Sequence, residues 1–231
     1  MKTQIARFDM HYEVVFSRPA FSHLASFSQI IEPIYDAFSA DFPIPSDAIK
    51  LEDGNTIATA GVTLTLFSGL SVFEARLDGY KADILNLRTT EDFDQAKRHT
   101  TFFESAILGF LTDGIPKRWR LVTPYWLTVE EGMDAVGHLI RRLTWLPESH
   151  DPFEISSNKV DSQVRFDCSN TEDQWTARIT VDKSAIPNAH LFLEISSQYE
   201  TDSHFNNFDK RTEHLSMVTK SVIDKLGLVV E

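Results

Sequence analysis

Cysteine is almost missing from this chain of 231 residues, in which Cys168 stands alone. One thiol cannot form an intrachain disulfide, and it is too few for a zinc site built on cysteines. Long apolar runs are missing too. No stretch approaches the roughly 18 apolar residues of a transmembrane helix, and the opening segment MKTQIARFDMHYE has no run typical of a signal peptide. These absences predict a protein of the cytoplasm.

Basic residues are few relative to acidic ones. The chain has 22 Lys and Arg against 34 Asp and Glu, for a formal net charge of -12. Non-specific binding to DNA, RNA or anionic lipid depends on Lys and Arg side chains that displace counterions. The charge therefore predicts that neither a nucleic acid nor a membrane is a partner.

The short motifs that mark common enzyme sites do not occur. The sequence has no G-x-x-x-x-G-K-[ST], G-x-G-x-x-G, H-E-x-x-H or G-x-S-x-G. His99 and His214 have no second histidine or carboxylate one turn further on, because positions 103 and 218 carry Phe and Val. We therefore predict no cofactor, no metal site and no catalytic residue that the sequence alone can locate.

The hydrophobic pattern of the first half changes between strand and helix periods. Residues 8–16 alternate apolar and polar side chains, which predicts a strand with one buried face. Apolar residues recur at helical spacing over 24–38, in a helix that Pro33 is expected to kink or divide. Further strands are predicted near 49–51, 58–66, 70–78 and 80–87, followed by a helix over about 91–112 that Thr90 caps.

The second half repeats this order after Gly114 and Pro116. Residues 117–126 predict a strand, and the spacing of Thr128 and Glu131 is that of a capping box, which predicts a helix to about 143. Strands are then predicted near 152–156, 160–168, 174–182 and 189–195, and a last helix over about 206–226 that ends at Gly227.

Two helix starts support a duplication. The helices that close the halves begin EDFDQAKRH and NNFDKRTEH, so that Phe93, Asp94 and His99 match Phe208, Asp209 and His214 at a shift of 115. We predict an α+β fold of two β-α-β4-α pseudo-repeats, residues 1–115 and 116–231, in one integrated unit. Its antiparallel sheets are expected to be covered by helices on one face.

The order of elements and the first strand carry a resemblance to known families, and the midpoint departs from one of them. Tyr12-Glu13-Val14-Val15-Phe16 forms the opening strand, and Arg118-Trp119-Arg120-Leu121 lies at the midpoint. The order resembles the topology of the TATA-binding-protein-like fold, in which two curved antiparallel sheets join and long helices cover one face. It is also similar to a sporadically distributed bacterial family of uncharacterised proteins, whose first strand is typically Val-Glu-Val-Val-Phe-like and whose midpoint usually carries Arg-Tyr-x-Asn. The resemblance implies a fold and brings no activity.

The segment KRWRLVTPYW, residues 117–126, interleaves basic and aromatic side chains. Such stretches can stack on bases and contact phosphates. The same residues also predict a strand with Trp119 in the core and Arg118 and Arg120 in solvent, or a contact for a protein or a small anion. The acidic chain argues against the nucleic acid. The candidate partner- or anion-binding residues are Arg118, Arg120, Tyr125 and Trp126.

Three functions from different classes stay open at this point. The first is a non-catalytic module that binds a protein partner or itself, including as a homodimer, through an open sheet face or the edge 117–126. The second is a protein that binds an apolar small ligand between the sheet and the helices, since the chain has 17 Phe and four Trp. The third is an enzyme that uses scattered carboxylates.

Overall fold

The computed structural model describes residues 1–41, 43–52, 60–144, 163–201 and 203–230. These residues form one sheet and four α-helices. The strands are β1 (Lys2–Arg18), β2 (Ile49–Glu52), β3 (Gly61–Leu66), β4 (Ser71–Arg76), β5 (Gly79–Leu87), β6 (Ile115–Val129), β7 (Val164–Asn170), β8 (Trp175–Lys183), β9 (Leu191–Glu200) and β10 (Val229–Val230). The helices are α1 (Ile31–Ser39), α2 (Thr90–Phe110), α3 (Gly132–Thr144) and α4 (Phe208–Leu226), and two 3-10 segments cover Phe21–Ile30 and Phe67–Gly69.

The sheet is continuous and is centred on its two longest strands. Its order is β2-β3-β4-β5-β1-β6-β9-β8-β7, and every pair along this path is antiparallel. The short β10 pairs in parallel with the start of β1, with Lys2 opposite Val229. In the central pair Tyr12 lies opposite Leu121, and Val14 lies opposite Trp119. The predicted α+β class with antiparallel strands is confirmed.

The strand order is symmetrical about the central pair. On one side β5, β4 and β3 follow β1, and on the other β9, β8 and β7 follow β6. A duplicated unit with a two-fold axis between β1 and β6 has this arrangement. The predicted strand near 152–156 lies outside the described residues, so the duplication stays a prediction.

The helices lie on the face of the sheet that holds the apolar side chains. Phe38 of α1 packs on Phe73 with ring centres 5.1 Å apart, and Phe103 of α2 packs on the same ring at 5.2 Å. Phe208 of α4 packs on Tyr12 at 4.7 Å. Because strand side chains alternate, Tyr12 belongs to the same inward row as Phe8 and Met10, which are also buried.

Two of the predicted helix starts are wrong. Thr89, and not Thr90, is the N-cap of α2, and its hydroxyl accepts a hydrogen bond from the backbone N–H of Asp92. The predicted capping box at Thr128 is wrong because β6 continues through this residue. Thr128 pairs with Gln4 of β1, and its hydroxyl donates to the Gln4 carbonyl. Strand pairing with β1 therefore uses the residues that a local motif assigned to a helix.

The predicted helix over 24–38 is only partly α-helical. Phe21–Ile30 is a 3-10 segment, and α1 follows it directly. Pro33 stands in the first turn of α1, where a helix tolerates proline because the N–H groups of this turn make no hydrogen bond within the helix. At the other end of the chain, Gly227 ends α4 with φ 71°, as predicted.

Cys168 is exposed, although Val164 and Phe166 alternate with it along the strand. It lies on β7, the last strand of the sheet. Of the strand only Val164 is buried, because an outer strand has a neighbour on one side and few helix contacts above it.

The close approach of β5 to β1 at Gly79 generates a stability prediction. A Cβ atom built on Gly79 lies 2.1 Å from the backbone oxygen of Val14, which cannot move without breaking the pairing. Gly79→Ala should lower the free energy of unfolding by about 1–3 kcal/mol, as overpacking does. Gly137 on α3 is the control, since a Cβ there meets nothing within 4 Å.

Gly137→Ala should leave stability unchanged or raise it by about 0.5–1 kcal/mol through helix propensity. Urea denaturation of both variants checks the prediction. Equal midpoints for the two variants would show that β5 does not approach β1 as closely at Gly79.

Candidate functional site

The two arginines of the KRWR segment lie on the opposite side of β6 from its tryptophan. Trp119 is 8% exposed and points towards the helices, whereas Arg118 and Arg120 are exposed on the other face. The Arg120 Nε donates to the hydroxyl of Ser196 at 3.3 Å. The alternation predicted from the sequence is therefore confirmed.

Tyr125 and Trp126 also lie on opposite faces of β6. Tyr125 faces the helices and stacks on Phe8, with ring centres 5.5 Å apart, and burial raises the pKa of its hydroxyl. Trp126 faces away from the helices, with the Arg7 guanidinium 4.1 Å above its ring and Phe192 at 5.5 Å. The structure thus brings Arg118, Arg120 and Trp126 to one face of the strand and places Tyr125 on the other.

The sheet face that carries Trp126 is rich in ion pairs. His11 Nδ1 lies 2.8 Å from Asp83 Oδ1, and this hydrogen bond raises the pKa of the imidazole. Glu74 bonds to both Lys81, at 2.7 Å, and Arg76. Burial opposes ionisation of Glu74, but these two hydrogen bonds hold its pKa below the usual value. Such charges are already paired within the chain and do not require a partner to cover them.

A buried polar cluster joins α2 and α4 across β1. The side chain of Arg211 is 1% exposed, and its guanidinium lies 4.1 Å from the ring centre of Trp119. Its Nη1 donates to the hydroxyl of Tyr12 at 2.6 Å. The hydroxyls of Tyr12 and Tyr80 both donate to Glu104 Oε1, at 2.8 and 2.6 Å.

The cluster keeps its phenols protonated. Burial raises the pKa of both Tyr12 and Tyr80 well above the usual value, and the Glu104 carboxylate adds to this. Both tyrosine hydroxyls and the Nε and Nη1 of Arg211 donate to acceptors, so the cluster acts as a cross-link between the helices. The sequence signal for it is weak, because a single Arg in a helix with exposed Lys and Glu neighbours resembles any surface charge.

The matched histidines are buried structural residues. His99 lies against Phe38 and Phe67, with ring centres 5.8 and 5.9 Å away. His214 has its Nδ1 3.0 Å from the hydroxyl of Tyr199. Burial lowers the pKa of both imidazoles. Among the described residues no group of three His, Cys, Asp or Glu side chains is placed to hold a metal ion.

A groove opens on the helix-covered side, between the first turn of α2 and the C-terminal half of α4. Its volume is about 910 Å³. The floor comes from β1, β6 and β9, and β10 closes one end. The apolar side chains that line this α2–α4 groove include Phe8, Phe93, Leu127, Leu193, Leu215 and Ile223.

Short side chains explain why this end of the helix pair stays open. Thr90 of α2 and Ser216 and Thr219 of α4 line the groove where large side chains would close it. At the opposite end, Arg211 and Glu104 fill the space between the same two helices. The short polar residues on the groove side of α4 are a sequence signal for the groove that was not used in the prediction.

Charged side chains stand at the rim of the groove. Arg88 precedes α2, while Lys220 and Asp224 lie on α4. The carboxylate of Asp92 already accepts the backbone N–H groups of Arg88 and Thr89, which lowers the pKa of Asp92. The capping residues therefore already make hydrogen bonds at the start of α2. The charges available to a ligand there are those of the side chains.

The sequence comparisons identify no relative: no model of a protein family matches the chain, and no curated protein matches it. The resemblance to the TATA-binding-protein-like fold and to the bacterial family therefore stays a prediction. Among the described residues no helix is long and apolar enough to cross a membrane.

The two faces of β6 generate a second prediction. Trp119→Ala should lower the free energy of unfolding by about 3–5 kcal/mol, because it removes a buried aromatic ring and the platform under Arg211. The double change of Arg118 and Arg120 to Ser should cost only about 0.5 kcal/mol per site, as at exposed positions.

Thermal melts with light scattering on the same samples check both effects. If the double Ser variant stays folded but light scattering gives a lower molecular mass than for wild type, the two arginines serve self-association. Wild-type melting of Trp119→Ala would contradict the packing of β6.

The buried histidines generate a pH prediction. Burial lowers the folded-state pKa of His99 and His214 below the ordinary 6.5, so the unfolded state binds protons first as pH falls. Their contribution is therefore present above pH 6.5 and is lost as pH falls from 6.5 through the lowered pKa. His214→Gln should lose less stability than wild type between about pH 7.5 and about pH 5.5.

His11 is the matched control, because its pKa is raised and its contribution has the opposite sign. That contribution is present below pH 6.5 and is lost as pH rises through the raised pKa, so His11→Gln should lose more stability on acidification than wild type. Urea titrations at the two pH values measure these differences. Identical pH dependence in all three proteins would show that the imidazoles do not differ in environment.

Proposed function

We propose that this protein binds an apolar small molecule in the α2–α4 groove. The observation that carries the proposal is the size and lining of the groove. Its volume of about 910 Å³ lies within the range of about 300–1,000 Å³ that is typical of small-ligand sites. Apolar side chains form most of the floor, and the charged side chains stand at the rim, which is the usual division in such sites.

The rest of the polar interior supports binding in preference to chemistry at this groove. The hydrogen bonds of the Arg211 cluster are made to groups of the chain itself, and no histidine is among the described residues that line the groove. The Phe8–Tyr125 stack also lines the groove and adds aromatic rings to its apolar floor. The expected setting is the cytoplasm, as the sequence predicts.

Binding of the neutral fluorescent probe N-phenyl-1-naphthylamine tests the proposal. Wild-type protein should bind the probe saturably, at about one molecule per chain, with an increase in emission. Ser216→Trp places a large ring on the groove side of α4 and should weaken binding at least about tenfold. Met217→Trp is the matched control, because Met217 is 62% exposed and does not line the groove.

The outcome against the proposal is equal probe binding by Ser216→Trp and Met217→Trp, with both variants folded by thermal melt. Native mass spectrometry of the protein as purified adds an independent readout. A co-purified small molecule should be retained by wild type and by Met217→Trp, and it should be reduced in Ser216→Trp.

Self-association is a second candidate, supported by the face opposite to the helices. Trp126 and Phe192 are half-buried there, 5.5 Å apart, among paired charges. A partner surface or a second copy that covers these rings would gain apolar contact without breaking the ion pairs around them. The light-scattering comparison of the Arg118 and Arg120 variant tests this candidate separately from the groove.

A further inference from the structure

The charges at the rim of the α2–α4 groove differ from those of the chain as a whole. Acidic residues outnumber basic ones by 34 to 22 over the sequence. Of the described residues with charged side chains that line the groove, Arg88 and Lys220 are basic and Asp224 is acidic. The rim therefore presents net positive charge above an apolar floor.

Neither basic side chain is held in an ion pair within the described part of the chain. Arg88 and Lys220 make no salt bridge and no side-chain hydrogen bond with another described residue, although Asp224 stands one helical turn after Lys220. In contrast, Arg98 pairs with Asp41, and Arg178 pairs with Asp167. The Asp92 carboxylate attracts Arg88 through its charge, but it leaves the N–H groups of the guanidinium available to a ligand.

The chemistry of the groove restricts where a charged group of a ligand can sit. An unpaired carboxylate over the apolar floor loses its hydration and gains no partner, which is strongly unfavourable. At the rim it can accept charge-assisted hydrogen bonds from Arg88 and Lys220. A ligand with an acidic end and an aliphatic body satisfies both regions at once.

We infer that the groove takes a free, monomeric aliphatic carboxylate, whose head group is bound by Arg88 and Lys220 and whose chain lies on the apolar floor. This inference rests on the proposed function, since it names the class of ligand for the same groove. The source is the free acid and not a bilayer, because a chain of net charge -12 is repelled by an anionic membrane surface.

Displacement of N-phenyl-1-naphthylamine by a matched pair of ligands tests the inference. Dodecanoate and dodecanol share the same alkyl chain and differ in the charge of the head group. Wild-type protein should bind dodecanoate about tenfold more tightly than dodecanol. In the double variant Arg88→Gln with Lys220→Gln this preference should fall to about twofold or less, while dodecanol affinity stays the same.

Two further variants separate a specific head-group contact from general charge. Lys225→Gln removes a cation from the last turn of α4 that does not line the groove, and it should keep the preference. Asp224→Asn removes an acidic side chain at the rim and should strengthen dodecanoate binding with no effect on dodecanol. Equal effects of Lys220→Gln and Lys225→Gln would overturn the assignment of Lys220.

The outcomes for the two proposals are distinguishable. Saturable probe binding that Ser216→Trp blocks, with equal displacement by dodecanoate and dodecanol, would overturn the carboxylate inference and leave the groove as an apolar site. No saturable probe binding would overturn both. Sedimentation with phosphatidylglycerol vesicles should leave the protein in the supernatant, and salt-sensitive co-sedimentation would overturn the assignment of a free acid.

Discussion

The buried guanidinium of Arg211 is the contact on which the arrangement of the helices depends. It lies on Trp119 of β6, donates to Tyr12 of β1 and stands 3.8 Å from Glu104 of α2. One side chain of α4 therefore connects both central strands and the facing helix. Removal of a partner from such a cluster leaves buried polar groups without compensation, so the helices are fixed in their places over the sheet.

The Arg211 cluster joins α2 and α4 at one end of the helix pair, and the groove separates them at the other end. Where Arg211 and Glu104 fill the space, α2 and α4 are joined through polar groups. Towards the end of α4, Ser216 and Thr219 are too short to reach across, and the same two helices leave a groove above the Phe8–Tyr125 stack. The groove thus lies between two helices whose positions are fixed by packing, as a binding site requires.

Prediction from the sequence succeeded where local periodicity and burial agree. The alternation along β6 separated Trp119 from Arg118 and Arg120, and Gly227 marked the end of α4. It failed where a distant strand competed with a local motif. Thr128 has the spacing of a helix cap, yet pairing with Gln4 of β1 keeps it in β6. The exposure of Cys168 follows from the outer position of β7, which the local pattern does not reveal.

The α+β class, most of the strands and the acidic character can be inferred from the residues in order, because these properties depend on short-range pattern and on composition. Which inward-facing residues meet depends on how the elements pack. Tyr12, Glu104 and Arg211 lie far apart along the chain, and no periodicity links them. The groove likewise exists only because two helices stand apart over a shared floor. Such gaps depend on the distance between elements, and a linear pattern of residues does not contain that distance.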